Sequence, residues 1–270
     1  MSWTISKDTP AVAISQRLAC FSQLRHGVTV RDAEPGDRDY SFSTCADHSS
    51  VVDARRAICD RLGFSIDDLI VPAQAHGANV AVVGSPDRGR GARSPSNAAP
   101  ACDALVTNTY GLLLGITVAD CLPVFIVDHV NGAVGLAHSG WRGTAARIAV
   151  RTLETMADAF GSLAENCIAA IGPGIGPDGY EVDESVWCAF SEDDRRVPDA
   201  FVPTGPGHWA LDLTAIVRSQ IAEAGVPLAA IDVSPWRTHT DTSLFHSHRR
   251  SPGCPRIGAF LGLRAVVSPL

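Results

Sequence analysis

Strand-like segments recur along the chain at residues 80–83, 104–107, 112–118, 124–127, 133–137, 168–171 and 231–233, and several of them are continuous apolar runs. Those runs lack the polar alternation of a half-exposed strand, so they predict strands covered on both faces. A helical period predicts helices over 51–62, 145–160, 184–190 and 213–224, with Gly161 and Gly225 as C-terminal stops after two of them. In the second helix Ala146, Ala149, Val150, Leu153, Met156 and Ala157 share one apolar face, the pattern of core contact. The order mixes hairpin-like strand neighbours with helices. It predicts an α/β fold in which a mixed sheet is layered with helices in the α+β manner, not a βαβ barrel. There is no internal repeat. Residues 30–50 are polar and irregular. Residues 84–100 (GSPDRGRGARSPSNAAP) read as a mobile surface loop rather than a linker, because strand-like segments flank them closely. The 270 residues are therefore expected to form one catalytic domain spanning 1–270.

Composition narrows the function classes. Hydrophobic residues make up 46% and charged residues 19%, an ordinary globular balance, and the formal charge is −7. No basic stripe suits a nucleic-acid backbone. The first twenty residues lack a basic start followed by an apolar core, and the longest apolar run, 111–119, is too short to cross a bilayer. A cytoplasmic protein with no membrane and no nucleic-acid partner is expected. The eight cysteines include no CxxC pair. In a reducing compartment they are expected to be thiols, most of them small buried hydrophobes.

Reactive residues gather next to glycines at the ends of predicted strands, where sites are commonly built. The segments are Gln74-Ala75-His76-Gly77, Ala119-Asp120-Cys121-Leu122-Pro123 and Ala137-His138-Ser139-Gly140-Trp141-Arg142-Gly143. His76, Cys121 and His138 would make a borderline-soft set that suits zinc with an open fourth position. The same set resembles a trigonal copper site, which needs a weak axial ligand; only Met1 and Met156 are present. The spacings of 45 and 17 residues leave open a buried cysteine with two hydrogen-bonded histidines.

The segments QAHG, DALVTNTYGLLLGITVADCLPVFIVD, AHSGWRGTAARI, AAIGPGIGPDGYEV and FHSHRR…PRIGAFLGL together resemble the laccase-domain family, also described as purine nucleoside phosphorylase-like or YfiH-type and formerly as multicopper polyphenol oxidase. The resemblance runs in order from about Cys20 to Leu263 and implies a YfiH-like, cysteine-hydrolase-like architecture. It implies one zinc on His76, Cys121 and His138, with copper as an alternative occupant. It also implies phosphorolysis of adenosine and inosine, related activity on methylthioadenosine, and adenosine deamination. The expected partners are a purine nucleoside and phosphate, in a monomer or homodimer. The chain departs from the family pattern at three places. The glycine-rich TRxGGVS segment appears as Gln23–Thr29, a frequent cysteine is Gly179, and a cysteine-threonine pair is Arg237-Thr238.

Around the three ligands, Arg142 at a helix start and Arg249 and Arg250 are candidate phosphate donors. His248 is expected to border the site. Asp120 is a candidate proton shuttle or orienter of a ligand histidine, and Gln74 a hydrogen-bond partner of the base. Residues 172–176 (GPGIG) are candidate amide donors, although they do not form a dinucleotide fingerprint. The remaining histidines, His26, His48, His129, His208, His239 and His246, read as surface or structural. Three further readings use the same residues. Cys121 and His138 could form the nucleophile and base of a cysteine hydrolase that edits peptidoglycan precursors. The chain could be a copper polyphenol oxidase, or a non-catalytic protein with a structural metal.

Overall fold

Most of the apolar runs are buried on both faces because their strands lie in sheets with a layer on either side; the edge run at 80–83 is the exception, with Val82 exposed. The computed structural model describes residues 3–6, 8–31, 37–99 and 101–264. Met1, Pro100 and residues 32–36 of the polar stretch lie outside the described residues. In chain order the elements are β1 (Trp3–Ile5), β2 (Val12–Ser15), α1 (Gln16–Ala19), β3 (Leu24–Thr29), α2 (His48–Leu62), β4 (Leu69–Ile70), β5 (Val80–Val82), β6 (Ala104–Thr107), β7 (Leu112–Val118), β8 (Leu122–Asp128) and β9 (Ala133–Ser139). They continue with α3 (Trp141–Ala145), α4 (Ile148–Phe160), β10 (Cys167–Ile171), β11 (Glu181–Asp183), α5 (Glu184–Ala189), α6 (Glu192–Arg196), β12 (Phe201–Gly205), β13 (His208–Leu211), α7 (Leu213–Glu223), β14 (Ile231–Val233) and β15 (Ile257–Leu263).

Two six-stranded mixed sheets form the centre, in the orders β1-β2-β3-β15-β7-β4 and β14-β10-β8-β9-β6-β5; a small sheet β11-β13-β12 lies beside them. Most neighbours are antiparallel, with β4/β7, β5/β6 and β10/β14 parallel. The period-two geometry of a strand sorts side chains between layers. Leu112, Leu114, Ile116 and Val118 of β7 meet Phe125 and Val127 of β8 and Leu136 of β9 in a core between the sheets. The opposite faces are covered by helices. Leu122, Val124 and Ile126 of β8 pack with Ala149, Leu153 and Met156 of α4 and Ile216 and Val217 of α7. Leu113 of β7 and Phe260 of β15 pack with Ala54, Ile58 and Leu62 of α2. The result is helix, sheet, sheet, helix, a mixed α/β fold.

One expectation is corrected. The helix expected over 145–160 is two helices, because Arg147 adopts φ 59, which ends α3 and restarts the chain as α4. Ala146 and Ala157 are exposed, and Ile148 and Thr152 are buried instead. The described part of the stretch, residues 84–99, is bonded to the rest of the fold. The buried Arg55 guanidinium donates to Gly91 O, Ala92 O and Tyr40 O, Val71 N–H bonds Arg90 O, and Ala92 and Ala99 are buried. At Gly91, with φ +70, a Cβ would lie 2.1 Å from Val71 O, so this crossing requires glycine. Arg88, Arg90 and Arg93 of the same stretch pair with Asp68, Asp87 and Asp67.

Candidate functional site

The site forms where the chain crosses from one sheet to the other. The turn between β7 and β8 carries Asp120 and Cys121, and Asp120 takes φ 88 there. In the second sheet Pro123 lies opposite His138 and Leu122 opposite Ser139, so Cys121 falls beside Gly140. A Cβ on Gly140 would lie 2.8 Å from Cys121 Sγ; glycine is what lets the thiol sit there. On the other side of β9, Ala137 pairs with Ala104 and places Asp103 next to His138. The donor atoms of His76, Cys121 and His138 all lie within 4.8 Å of one another. His138 is buried, Cys121 half-buried and His76 exposed, with the two rings edge to face at 4.8 Å.

Asp103, which the sequence reading passed over, organises both histidines. It is fully buried, and its carboxylate accepts N–H bonds from Ala75 (3.2 Å), His76 (2.9 Å) and Gly77 (2.7 Å) and from His138 Nδ1 (2.8 Å). The backbone bonds hold His76 at φ 56. The ring bond protonates Nδ1 and leaves Nε2 of His138 for the cluster, the usual arrangement behind a metal-ligating histidine. Burial opposes ionisation of Asp103, but the His138 hydrogen bond and the backbone donors hold its carboxyl below the usual range. Burial also opposes a Cys121 thiolate; the charge and hydrogen bond of His138, then those of His76, outweigh it and bring the thiol down to about 6. Conversely His138 is raised to about 9 against its burial, by Cys121 and by Asp103. A thiolate and an imidazole stripped of its Nε2 proton are what a borderline-soft cation takes up, so the donor set fits zinc or copper. Met156, the internal candidate axial ligand, is instead buried against α4's core neighbours.

All three donors line a cleft of about 690 Å³ whose walls include Ser41, Phe42, Tyr180, Arg249 and Arg256. Of the other predicted residues, Gln74, Asp120, Arg142, His248 and Arg249 line it. Arg250 does not; its guanidinium turns to His239 O at 3.3 Å. The Gln74 amide is engaged by Thr117: Oε1 accepts from Thr117 N–H and Oγ1, and Nε2 donates to Thr117 O. The Asp120 carboxylate accepts from Thr238 Oγ1 (2.6 Å) and Arg249 N–H (2.7 Å), so orienting the ligand histidine falls to Asp103, not to it. Arg142 stacks on the Trp141 ring at 4.2 Å and Arg249 over Tyr180 at 4.9 Å. Two amides of the GPGIG stretch are engaged within the fold: Gly172 N–H bonds Pro123 O and Ile175 N–H bonds Asp120 O. At the variable position Gly179, a Cβ would lie 2.4 Å from His239 Cγ; the His239 ring takes the space a larger residue would need.

Residues 19–264 match the family model described as multi-copper polyphenol oxidoreductase laccase. The chain is 39% identical over 222 residues to a purine nucleoside phosphorylase, YlmD, of Geobacillus stearothermophilus, covering 81% of this chain and 80% of that one. It is 36% identical over 235 residues to adenosine deaminase RL5 of an unknown prokaryotic organism, covering 85% and 87%. The crystal structure of YlmD from Geobacillus stearothermophilus superposes with a TM-score of 0.90 at 33% identity, over 97% of this chain and 99% of that chain.

Proposed function

Because the chain belongs to the family described as multi-copper polyphenol oxidoreductase laccase, whose relatives include purine nucleoside phosphorylases and an adenosine deaminase, we propose that it is a metal-dependent enzyme of purine nucleosides. In this reading it cleaves adenosine, inosine and methylthioadenosine with phosphate and deaminates adenosine as a side activity. It acts as a single domain in the cytoplasm, as a monomer or homodimer; no helix among the described residues is long and apolar enough to cross a membrane. The observation that carries the reading is the juxtaposition of three soft-metal donors with a roomy cleft edged by arginines.

His76, Cys121 and His138 would hold the ion, zinc by preference. Bound there, it supplies Lewis-acid chemistry and brings the ionisation of water towards neutral pH. The protein's own groups do the rest. Arg142 and Arg249 face the cleft with guanidinium donors available for phosphate oxygens. Asp120 fixes the backbone of Arg249 and so positions that arginine. Burial, and then the charge of Cys121, push the Tyr180 phenol up, so it stays a neutral donor in the cleft. In phosphorolysis a phosphate oxygen bonds C1′ of the ribose as the C1′–N9 bond breaks and the purine leaves.

A second reading rests on the mutual shift of Cys121 and His138. Without a metal they form a thiolate–imidazolium pair, the equipment of a cysteine hydrolase. One experiment separates the two: metal analysis of the purified chain, with product identification from adenosine in the presence and absence of phosphate. Ribose 1-phosphate from metal-replete protein, lost together with the metal in His76→Ala, is the expected result. Full phosphorolysis by metal-free protein would defeat the proposal.

A further inference from the structure

Arginines elsewhere on the surface, such as Arg31, Arg61, Arg88, Arg147 and Arg237, answer to carboxylates. Three that line the cleft do not. Arg142 stacks on Trp141, Arg249 gives one bond to Glu181 O, and Arg256 gives its Nη1 bonds to Cys254; among the described residues none of the three has a carboxylate at ion-pair distance. Arg55 also lines the cleft, but its donors are spent on three backbone carbonyls. The one carboxylate among the described lining residues, Asp120, has both oxygens occupied. In a chain of net charge −7, this cleft is therefore a local positive well.

The arginines also stand on different walls. Arg142 lies in α3, directly after β9 of the second sheet. Arg256 precedes β15 of the first sheet, where Ile257 pairs with Val118, so it stands beside the end of β7 that leads into the Cys121 turn. Its backbone is fixed there by Asp39 Oδ1 and by the Tyr40 N–H, which leads into the Ser41–Ser43 wall. Inorganic phosphate fills one anion position beside the metal donors. A second, unpaired guanidinium on a different wall is more than that reaction needs.

From this we infer that the preferred substrate is a purine nucleoside carrying an anionic group on its 5′ side, of which a nucleoside 5′-monophosphate is the simplest, with Arg256 holding that group. The inference rests on the nucleoside reading above and extends it. The chemistry balances without a further reactant. A phosphate oxygen forms the bond to C1′, the C1′–N9 pair departs with the base and takes up a proton, and the products are free purine and ribose 1,5-bisphosphate.

The test compares inosine with inosine 5′-monophosphate on the zinc-loaded full chain, by calorimetric binding without phosphate and by phosphorolysis with it. The monophosphate is expected to bind about tenfold tighter or more, the scale of a charge-assisted fork contact. Arg256→Met should bring the two affinities close together, and Arg256→Lys should restore part of the difference. Equal binding by the wild-type chain, or a preference that survives Arg256→Met, overturns the inference. If inosine is phosphorolysed and the monophosphate is not preferred, the nucleoside reading stands and this inference falls. If the monophosphate is preferred through Arg256 and neither purine is released, the anion site stands and phosphorolysis falls.

Discussion

Asp103 accepts four hydrogen bonds with two oxygens, so no neutral side chain of its size can replace it. In Asp103→Asn one oxygen becomes an NH₂ facing donors. We expect the zinc affinity to fall by about 10- to 100-fold, the usual cost of losing such a partner behind a ligand histidine. Competition with a chromophoric chelator on folded protein measures this, and wild-type affinity in the variant would reduce Asp103 to a turn residue. Arg142 makes a different test. Among the described residues it has no ion-pair partner, and it stacks on Trp141. Arg142→Ala should raise the KM for phosphate while leaving adenosine deamination, which needs no phosphate, much less affected; equal loss of both would remove Arg142 from phosphate binding. Cys121, His138 and His76 were legible because they sit in runs whose order is distinctive. Asp103 was not, because an acid before a strand is an ordinary sight. Only the β6/β9 register brings it beside His138.

At the scale of elements, legibility followed burial. β6, β7 and β14 match the expected strands end to end, and β7, covered on both faces, has almost no polar position. β15 was missed because Gly258 and Gly262 interrupt its run. Both are packing glycines: a Cβ on Gly258 would meet the Phe260 ring at 2.4 Å, and one on Gly262 would meet Leu112 O at 2.5 Å. β3, LRHGVT, hid for the same reason, its Gly27 pressed against Val12. In the stretch 84–100 composition and contacts diverge. Its composition is that of a free loop, yet its order depends on a distant residue, Arg55 on α2. Arg55→Met keeps the buried stem but removes the guanidinium that bonds the carbonyls of Tyr40, Gly91 and Ala92. A loss on the order of 3 kcal/mol is expected from the removal of these buried bonds, read as a lower midpoint in urea. Limited proteolysis should then cut first within 84–100. Unchanged resistance there would mean that Val71 and the bridge between Pro72 and Ala99 suffice.

The whole molecule depends on two sheets sharing one dry core, and His26 places a titratable ring inside it. His26 lies on β3 of the first sheet, 4% exposed, edge-on to Phe125 of the second sheet at 6.0 Å. Its Nε2 accepts the Ser15 N–H, while Ser15 Oγ donates to Asp232 on β14, so this one corner ties the sheets together. Burial lowers its pKa from 6.5 to about 4, against a smaller opposing effect of the Ser15 bond. The unfolded chain therefore binds a proton that the folded chain refuses between those values. The stabilisation is complete above pH 6.5 and is lost progressively as the pH falls towards 4. The part owed to this one ring is about 3 kcal/mol. His26→Gln retains an acceptor for Ser15 and removes the titration. Urea unfolding at a series of pH values between 7 and 4.5 should show wild-type stability falling with a steeper slope than that of the variant, the difference opening below pH 6.5. Parallel curves would show that the ring takes up its proton without separating the sheets, and that acid sensitivity arises elsewhere in the fold.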